Sequence, residues 1–549
     1  MKRFFWVLLG LIFLVALFLR FSQLAKIPVG FHTDEASLGY NAYSLLMTGK
    51  DEAGRAFPLY IDTFGDNRPT GYNYLAMLPI KFFGLSIFAT RLPSALFGSM
   101  SVFAIAFLSF VLFKNKKIAL LTGMLLAIAP WSVVLSRASD EAVVALFFIL
   151  IGFAFLFLSL RSKRQLYIIL GGLFLLISFF FYHTPRVFVP MLFLVFLGYF
   201  FWQFRTRLSR THHTLMISVF CLLSVIAVYL VFLVSGGTGR FSQVNIFTFP
   251  ETKLVMQEQI REDGSMHAPL ITTRVFHNKL VNYPLTFVSN YLTYFTGDFL
   301  FIKGGLPIWY QVPSMGLLYL IELPFLLYGL FLLCKSDDPL SKLPLLWLLI
   351  APVVSSITVD DVPNVNRVIV LFPIMEVIVG YGLYTFVTKF KKNTKLFISV
   401  GVTLLFIANL LYFQHQYIVH ASTHRTWYRN NGFDQMVATL QESYAGSDRI
   451  IVTKSMGSMY PLILFYMKYD PALYQREGSS KDREYTGFGK FLFVPQDCPS
   501  ITKDSRFPIG HNLIYINNGN CPDDKGKLVK KQVIINREDG TKAFKIVYD

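Results

Sequence analysis

Charged residues are scarce in this chain. Only 15% of its 549 residues are Asp, Glu, Lys or Arg, whereas 54% are hydrophobic and 56 are phenylalanine. Soluble domains carry about 25% charged residues, so this composition excludes a soluble globular fold over most of the length. Apolar runs of about 17 to 22 residues recur from Phe5 to roughly Phe413, and each can cross a bilayer as a helix. From residue 414 onward the composition is that of an ordinary soluble domain.

Cysteine and the common nucleotide-binding motifs are equally scarce. The four cysteines comprise two in apolar segments, Cys221 and Cys334, and two near the C-terminus, Cys498 and Cys521. No Cys or His cluster has the spacing of a zinc site. The sequence leaves open whether Cys498 and Cys521 form a disulfide. No Walker loop or dinucleotide fingerprint is present, which argues against a soluble nucleotide-binding domain.

The basic excess is organised by membrane side. The formal net charge of +18 would suggest a nucleic-acid partner only if the charges formed a patch or tail. Instead, alternate connections between apolar runs carry basic clusters: Lys2 and Arg3; Lys114, Lys116 and Lys117; Arg161, Lys163 and Arg164; Arg205, Arg207 and Arg210; Lys335 and Lys342; Lys389, Lys391, Lys392 and Lys395. The short connections on the other side carry one each, Arg137, Arg186 and Arg367. Positive loops stay inside, so we expect membrane lipids as partners and no nucleic acid.

This asymmetry predicts a multi-pass protein of the cell (plasma) membrane with a cytoplasmic N-terminus. It fits about eleven transmembrane helices, near 5–21, 92–113, 118–135, 141–160, 165–182, 187–204, 214–234, 313–334, 343–358, 368–388 and 396–413. Residues 71–84 are apolar but contain Pro79 and Lys81, which favours an interfacial helix. The predicted domains are therefore a transmembrane domain over 1–413, with outer loops 22–91 and 235–312, and an extracytoplasmic domain over 414–549.

The C-terminal domain has alternating helix and strand patterns. "FDQMVATLQESYAG" and "SMYPLILFYMKY" favour helices, and "DRIIVT", "FLFVP", "NLIYIN" and "KQVIIN" favour strands. This alternation predicts a small α/β domain. It contains no evident nucleophile constellation, and a scaffold role is the simplest interpretation.

Ionisable residues gather at the outer ends of the predicted spans. Each has an ordinary structural interpretation: Asp34 and Asp140 suit helix N-caps, Arg137 and Arg186 suit snorkelling to the interface, Arg68 suits a plain loop charge, and His183 suits a hydrogen-bonding role. In a membrane protein, such residues can also line a polar cavity. The residues concerned, with Arg68 within the first outer loop, are Asp34, Glu35, Arg68, Arg137, Asp140, Glu141, His183, Arg186, Asp360, Asp361 and Arg367.

The order of several short motifs then resembles a known class. An acidic pair after the first helix, "RPTGYNYL", "FGLSIFATRLPSALFGS" and "APWSVVLSRASDEA" follow one another within residues 1–190, and "NRVIVLFPIMEVIVGYGL" follows later. This order resembles the GT-C membrane glycosyltransferases of the protein O-mannosyltransferase and aminoarabinose-transferase group, glycosyltransferase family 39. Relatives often carry Lys-Pro-Pro or His-Pro-Pro where this chain has Arg68, Pro69 and Thr70.

The resemblance implies transfer of a hexosyl or pentosyl group from a polyprenyl-phosphate donor to an acceptor hydroxyl at the outer membrane face. It implies Asp34 as the catalytic base, because a hydroxyl needs a carboxylate to take its proton. Glu35 and Asp140 would be supporting acids. The leaving phosphate needs cations, for which Arg68, Arg186 and Arg367 are the candidates. His183 and Arg137 are further candidates for substrate contact.

Cofactor and acceptor are less defined. The resemblance favours metal-independent transfer, although a divalent metal is compatible with the wider class. The acceptor can be protein, lipid or glycan. The competing class is a transporter or flippase for a lipid-linked sugar, but transporters usually show internal repeats, and none is evident here. The charges also cluster on one side instead of at mid-membrane.

Overall fold

The chain folds into two compact units. The computed structural model describes residues 2–63, 66–204, 209–234, 244–457, 459–477, 486–502, 512–523 and 531–549. The first unit comprises Met1–Arg20, Leu96–Ser136 and Glu141–Phe413, and the second comprises Phe21–Ala95, Arg137–Asp140 and Gln414–Asp549. Arg205, Arg207 and residues 235–243 of the predicted loop 235–312 lie outside the described residues.

The first unit is helical. Its α-helices are Lys2–Phe21, Ile87–Phe113, Lys116–Ile128, Pro130–Ser136, Glu141–Ser162, Leu166–Ser178, Pro185–Phe204, Arg210–Tyr229, Pro250–Ser265, Leu270–Phe276, Lys279–Thr293, Glu322–Lys335, Leu343–Ile350, Val353–Ser356, Leu371–Thr388 and Lys392–His415, some of which continue across the unit boundary. Among the described residues, eight helices are long and apolar enough to span a membrane. The number becomes nine if Lys116–Ile128 and Pro130–Ser136, bent by 56° at their junction, form one span. The protein is therefore a multi-span α-helical membrane protein, as predicted.

The predicted count of eleven spans is not confirmed. The predicted helix 313–334 begins only at Glu322 and has 14 residues. The residues before Glu322 are not helical. The N–H groups of Leu317 and Leu318 both donate to Leu300 O instead, at 2.9 and 2.8 Å. A backbone that pairs with another segment cannot also make the i to i−4 ladder. Hydropathy does not distinguish an apolar helix from an apolar segment whose backbone bonds to another part of the chain.

The predicted span 165–182 is also shorter than expected. The helix covers Leu166–Ser178, 13 residues. Just beyond its end, the Arg186 side chain donates from Nε and Nη2 to Phe179 O, at 2.9 and 2.7 Å. A carbonyl at the end of a helix has no intrahelical donor. Arg186 therefore satisfies the backbone where this helix ends.

The second unit contains a six-stranded sheet and a separate hairpin. The hairpin pairs β1 (Tyr60–Thr63) with β2 (Asp66–Pro69). The larger sheet has the order β4-β5-β3-β6-β8-β7, formed by β3 (Arg449–Thr453), β4 (Gly487–Phe488), β5 (Phe491–Val494), β6 (Leu513–Asn518), β7 (Lys531–Asn536) and β8 (Lys542–Tyr548). Strand β3 is parallel to β5 and β6, and the outer pairs are antiparallel. The α-helices are Thr33–Thr48, Gly71–Phe83, Ala421–Thr423, Phe433–Ser443, Tyr460–Met467 and Pro471–Glu477.

This sheet confirms the α/β prediction for the C-terminal region. Each of the four predicted strands and both predicted helices is present. The pattern did not reveal β4 or β8. Strand β8 contains Lys545, whose ammonium group is nearly fully buried and donates to Pro522 O. That buried lysine breaks the alternation of apolar and polar residues that marks a half-buried strand. A disulfide joins Cys498 and Cys521.

The second unit differs from the predicted domain because it includes the first outer loop. Gln475 Nε2 donates to Ser44 Oγ and to Asp51 O, both at 2.9 Å. Tyr40 Oη donates to Tyr469 O at 3.1 Å. These bonds connect the helix Thr33–Thr48 and its following turn to the C-terminal region. Residues 21–95 cluster with residues 137–140 and 414–549 in the second unit.

Glu52 is a buried acid in the turn that connects the helix Thr33–Thr48 to the C-terminal region. It is 2% exposed, accepts from Asn41 Nδ2 at 3.2 Å and accepts from Tyr460 Oη at 3.2 Å. Burial is the main cause that raises its pKa, to about 8, and the charge of Asp51 adds to it. At neutral pH the carboxyl is therefore protonated, because the charged form would lose more hydration than its two bonds return.

Replacing Glu52 with Gln should make the second unit more stable than the wild type at pH 8 and equally stable at pH 4.5. The unfolded carboxyl titrates near 4.5, so between 4.5 and about 8 the folded state holds a proton that the unfolded state lacks. Wild-type stability then falls by about 1.4 kcal/mol per pH unit as the pH rises, whereas Gln does not titrate. Amide hydrogen exchange in the helix Thr33–Thr48 measures this, with exposed Glu442→Gln as the matched control. Equal protection of wild type and variant at pH 8 would contradict the expectation.

Candidate active site

The acidic pair lies at the start of the helix Thr33–Thr48. His32 is the N-cap residue: its side chain accepts from Asp34 N–H at 3.2 Å, and Glu35 Oε1 accepts from His32 N–H at 3.4 Å. This reciprocal capping box satisfies two N–H groups that the helix leaves unpaired. Consecutive helical residues point about 100° apart. Asp34 and Glu35 therefore face different surroundings, although they are neighbours in sequence.

Glu35 points into the unit and is fully engaged. It is 3% exposed, and its Oε2 accepts from Arg91 Nε at 2.8 Å and from Ser139 N–H at 3.0 Å. Oε1 accepts from Arg91 Nη2 at 3.1 Å and lies 3.9 Å from Arg429 Nη1. Burial acts to raise the pKa of Glu35, but Arg91, Arg429 and the Ser139 N–H outweigh it and the pKa lies below its ordinary value. Glu35 is therefore an ionised structural acid.

Arg91 fixes the first turn of the loop as well. The side chain is fully buried and donates to three carbonyl groups, those of Leu24 at 3.2 Å, Pro28 at 3.1 Å and Gly30 at 2.9 Å. Gly30 has φ +80°, and a Cβ there would overlap Arg429 O. Only glycine combines that backbone conformation with such close approach. The ion pair and the glycine together hold the segment that leads into the helix.

Asp34 is the accessible acid of the pair. Its side chain is 37% exposed, and Oδ1 accepts from Arg68 Nη2 at 2.9 Å. Arg68 lies on β2 and is 17% exposed. The structure thus brings together the predicted base and one predicted phosphate contact. The resulting site has an exposed carboxylate beside a guanidinium, both supported by regular structure.

His32 adds a neutral imidazole to this site. Burial is the main cause that lowers its pKa, Arg429 and Arg68 act in the same direction, and Asp34 and Glu35 oppose them. Its Nδ1 accepts the Asp34 N–H bond and lies 3.5 Å from Asp34 Oδ2. A neutral ring that accepts at Nδ1 is no cation for Asp34. Arg68, by contrast, is a cation in direct contact with the Asp34 carboxylate.

The "SRASDEA" motif contributes backbone support to the same unit. Arg137 Nη2 donates to Ser22 O at 2.6 Å and Ile27 O at 2.9 Å, and the guanidinium lies 5.9 Å from the Tyr417 ring centroid. Ser139 supplies the N–H bond to Glu35. Asp140 is 1% exposed. Arg137 therefore holds loop backbone, and the motif reaches the acid pair through Ser139.

The remaining predicted residues belong to the first unit. Arg186 Nη1 lies 3.3 Å from His183 Nδ1, and its other nitrogens bond Phe179 O. Arg367 donates from Nη1 to Thr358 Oγ1 at 3.0 Å and to Asp360 O, and its Nη2 lies 3.2 Å from Asp360 Oδ2. Arg186 and Arg367 are 3% and 9% exposed. Each guanidinium is fixed by local backbone.

The sequence analysis assigned no role to four residues of this site, Arg91, His32, Ser139 and Arg429. A signal for Arg91 exists, since an arginine at the start of a long apolar run requires a buried partner. Arg429 lies almost 400 residues from Glu35 in the chain, so no local pattern connects them. Among the described residues, no group of three His, Cys, Asp or Glu side chains is placed to hold a metal ion.

The comparisons with known proteins agree with the sequence resemblance. The family model for dolichyl-phosphate-mannose-protein mannosyltransferases matches residues 67–232, a segment that includes Arg68 and Arg186 but not Asp34. No curated protein sequence matches the chain.

Three solved structures show similar folds. ArnT from Cupriavidus metallidurans bound to undecaprenyl phosphate has a TM-score of 0.55 at 13% identity, covering 99% of this chain and 98% of that chain. The oligosaccharyltransferase AglB from Archaeoglobus fulgidus, with an inhibitory peptide and a dolichol-phosphate, has a TM-score of 0.53 at 12% identity and covers 85% of this chain. The Archaeoglobus fulgidus oligosaccharyltransferase tethered with an acceptor peptide has a TM-score of 0.51 at 12% identity and covers 85% of this chain and 63% of that chain. The present chain spans 64% of the length of AglB. The predicted GT-C fold is confirmed.

Replacing Glu35 with Gln should destabilise the second unit by about 3 to 5 kcal/mol at pH 7, the cost of leaving a buried charge without its partner. Because the folded pKa of Glu35 is lowered, its contribution is present above the ordinary value of 4.5 and is lost as the pH falls through the folded pKa. The difference in stability between Glu35→Gln and the wild type should therefore become smaller at acidic pH. Hydrogen exchange across residues 22–48 gives the measurement.

A double replacement separates this ion pair from general damage. Glu35→Met with Arg91→Met removes both charges, so it should recover part of the stability lost in each single variant. Exposed Glu442→Gln again serves as the control. If Glu35→Gln were protected from hydrogen exchange as well as the wild type at pH 7, the ion pair between Glu35 and Arg91 would not hold the loop.

Proposed function

We propose that this protein is an integral-membrane glycosyltransferase that moves a sugar from a polyprenyl-phosphate donor to an acceptor hydroxyl on the outer face of the membrane. The observation that carries the proposal is the division between the two adjacent acids. Glu35 is buried against Arg91, whereas Asp34 is accessible beside Arg68. Asp34 is thus the acid that can meet a substrate, and the arginine beside it suits a phosphate.

The proposed chemistry assigns one role to each group. The Asp34 carboxylate takes the proton of the acceptor hydroxyl while that oxygen attacks the anomeric carbon. The bond from the anomeric carbon to the phosphate oxygen breaks, and its electron pair leaves with the polyprenyl phosphate. Arg68, together with Arg186 and Arg367 from the resemblance, stabilises the leaving phosphate. Glu35 acts as a positioning residue, because it holds the turn that carries Asp34.

The lipid phosphates bound in two structural relatives support a lipid-phosphate donor. ArnT was solved with undecaprenyl phosphate and AglB with a dolichol-phosphate. An acceptor peptide is present in a further Archaeoglobus structure. We extend the lipid-phosphate donor to this chain and keep protein, lipid and glycan as acceptor classes. We propose a plasma-membrane location with the N-terminus cytoplasmic and the C-terminal region outside, supported by the basic clusters of the alternate connections.

Replacing Asp34 with Asn should lower transfer by about 100-fold or more, because Asn keeps the size of the side chain but cannot accept the proton. The assay uses purified protein in lipid vesicles, a panel of radiolabelled polyprenyl-phosphate monosaccharides and native membrane extract as acceptor. Asp62→Asn is the matched control, since Asp62 is an exposed acid of the same loop. Two results together would contradict the enzyme proposal and favour a transporter. The wild type would transfer sugar from none of the donors, and lipid would still move between the leaflets in Asp34→Asn.

Replacing Arg68 with Gln should weaken binding of polyprenyl phosphate alone by about tenfold, the loss typical of one charge-assisted hydrogen bond. Asp34→Asn should leave that binding intact, so the two side chains can be assigned separately. The control is Lys26→Gln, because Lys26 is an exposed cation of the same loop. Unchanged lipid-phosphate binding in Arg68→Gln would assign Arg68 to positioning Asp34 only.

A further inference from the structure

The C-terminal sheet carries a cleft that the proposed chemistry does not use. Its volume is about 290 Å³. The lining includes Trp427, Asn431, Asn518, Asn520, Arg537 and Lys542. The two cations of this lining are not matched by any carboxylate among the described residues that line the cleft. The cleft is therefore polar, positively charged and bordered by an aromatic ring.

The cleft lies at one edge of the sheet for a topological reason. Parallel strands β3 and β6 both end there, since Asn518 is the last residue of β6, and β8 begins there with Lys542 because it runs antiparallel to β6. The 11-residue helix Phe433–Ser443 also begins at the cleft. Crevices at the carboxyl ends of parallel strands are where open α/β sheets bind ligands, and a helix N-terminus favours an anion.

Arg537 is held in place and keeps donors available. Arg537 Nη1 donates to Thr541 Oγ1 at 3.1 Å and to Lys542 O at 2.7 Å. Its Nη2 has no partner among the described residues. Asp539 belongs to the same hairpin, but it accepts from Thr541 and Thr426 and does not line the cleft. The Arg537 guanidinium is thus fixed at the cleft, and Asp539 interacts with its charge from outside the lining.

An amide that is held in place lines the cleft. Asn431 is only 8% exposed, and its Oδ1 accepts from Glu538 N–H at 2.8 Å. This bond fixes the side chain, and its Nδ2 is left for the cleft, where a ligand oxygen can accept from it.

We propose that this cleft binds a negatively charged saccharide. The Trp427 ring is 48% exposed and offers an apolar face for a sugar ring. The amides of Asn431, Asn518 and Asn520 suit hydroxyl groups, which both donate and accept. Arg537 and Lys542 suit a carboxylate or phosphate on the sugar. An anion without sugar rings would leave the tryptophan and amides unused.

The same short segment also contacts the acid pair. Asn430 Nδ2 donates to Thr33 Oγ1 at 3.0 Å, next to Asp34 in the chain, and Arg429 lies beside Glu35. Trp427, Asn430 and Asn431 line the cleft. Resting on the proposed function, the saccharide held here is the acceptor, and its bound position is coupled to the turn that carries the base.

Binding is tested on the full-length protein in lipid nanodiscs by titration calorimetry. The probes are trigalacturonic acid, its uncharged methyl ester, and triglutamate, which has the charge without the sugar rings. Trigalacturonic acid should bind to the wild type and bind about tenfold more weakly to Trp427→Ala and to the double variant Arg537→Gln, Lys542→Gln. Trp427→Phe should retain most of the affinity. Lys531→Gln, an exposed lysine on β7 outside the lining, is the control.

Three results would overturn the proposal. They are no binding of trigalacturonic acid, binding that all cleft variants retain, and equal binding of triglutamate. Equal binding of the methyl ester would refute the charge requirement. Asp34→Asn should bind the probe like the wild type, so loss of transfer with intact saccharide binding separates a failure of the base from a failure of the cleft.

Discussion

The buried ion pair between Glu35 and Arg91 is the interaction on which the site depends. Two charges out of water are stable only when each has its partner and its remaining donors or acceptors are bonded. Arg91 meets this requirement with three loop carbonyls, and Glu35 meets it with the Ser139 N–H. The pair therefore fixes the loop after the first helix, the "SRASDEA" motif and the start of the helix Thr33–Thr48 together.

This requirement explains why two acids are adjacent. The helix directs Glu35 inward and leaves Asp34 37% exposed beside Arg68. The inward acid, Glu35, has a structural role, because its lowered pKa keeps it ionised and paired with Arg91. The outward acid contacts Arg68 and keeps an accessible carboxylate. A single acid could not be both the buried partner of Arg91 and an accessible carboxylate beside Arg68.

The sequence allowed the membrane helices and the α/β sheet to be predicted because both depend on local periodicity. Helices such as Glu141–Ser162 and strands such as β3 follow from apolar length or pattern. The shortened helix Glu322–Lys335 could not be predicted, because Leu317 and Leu318 bond a carbonyl of another segment. The association of residues 21–95 with the C-terminal region was hidden for the same reason, since it depends on bonds such as Gln475 to Ser44. The positions of Asp34 and Arg68 could be proposed from motif order, whereas Arg91 and Arg429 required the three-dimensional structure.

The segment Trp427–Asn431 gives the C-terminal region a more specific place than that of a scaffold. Arg429 adds a cation to the Glu35 site, and Asn430 bonds the residue that precedes Asp34. The intervening backbone is held tightly, since Gly30 has no room for a Cβ against Arg429 O. If the proposed ligand moves Trp427 or Asn431, the contacts of Arg429 and Asn430 at the acid pair should move with them, because these residues belong to one short segment.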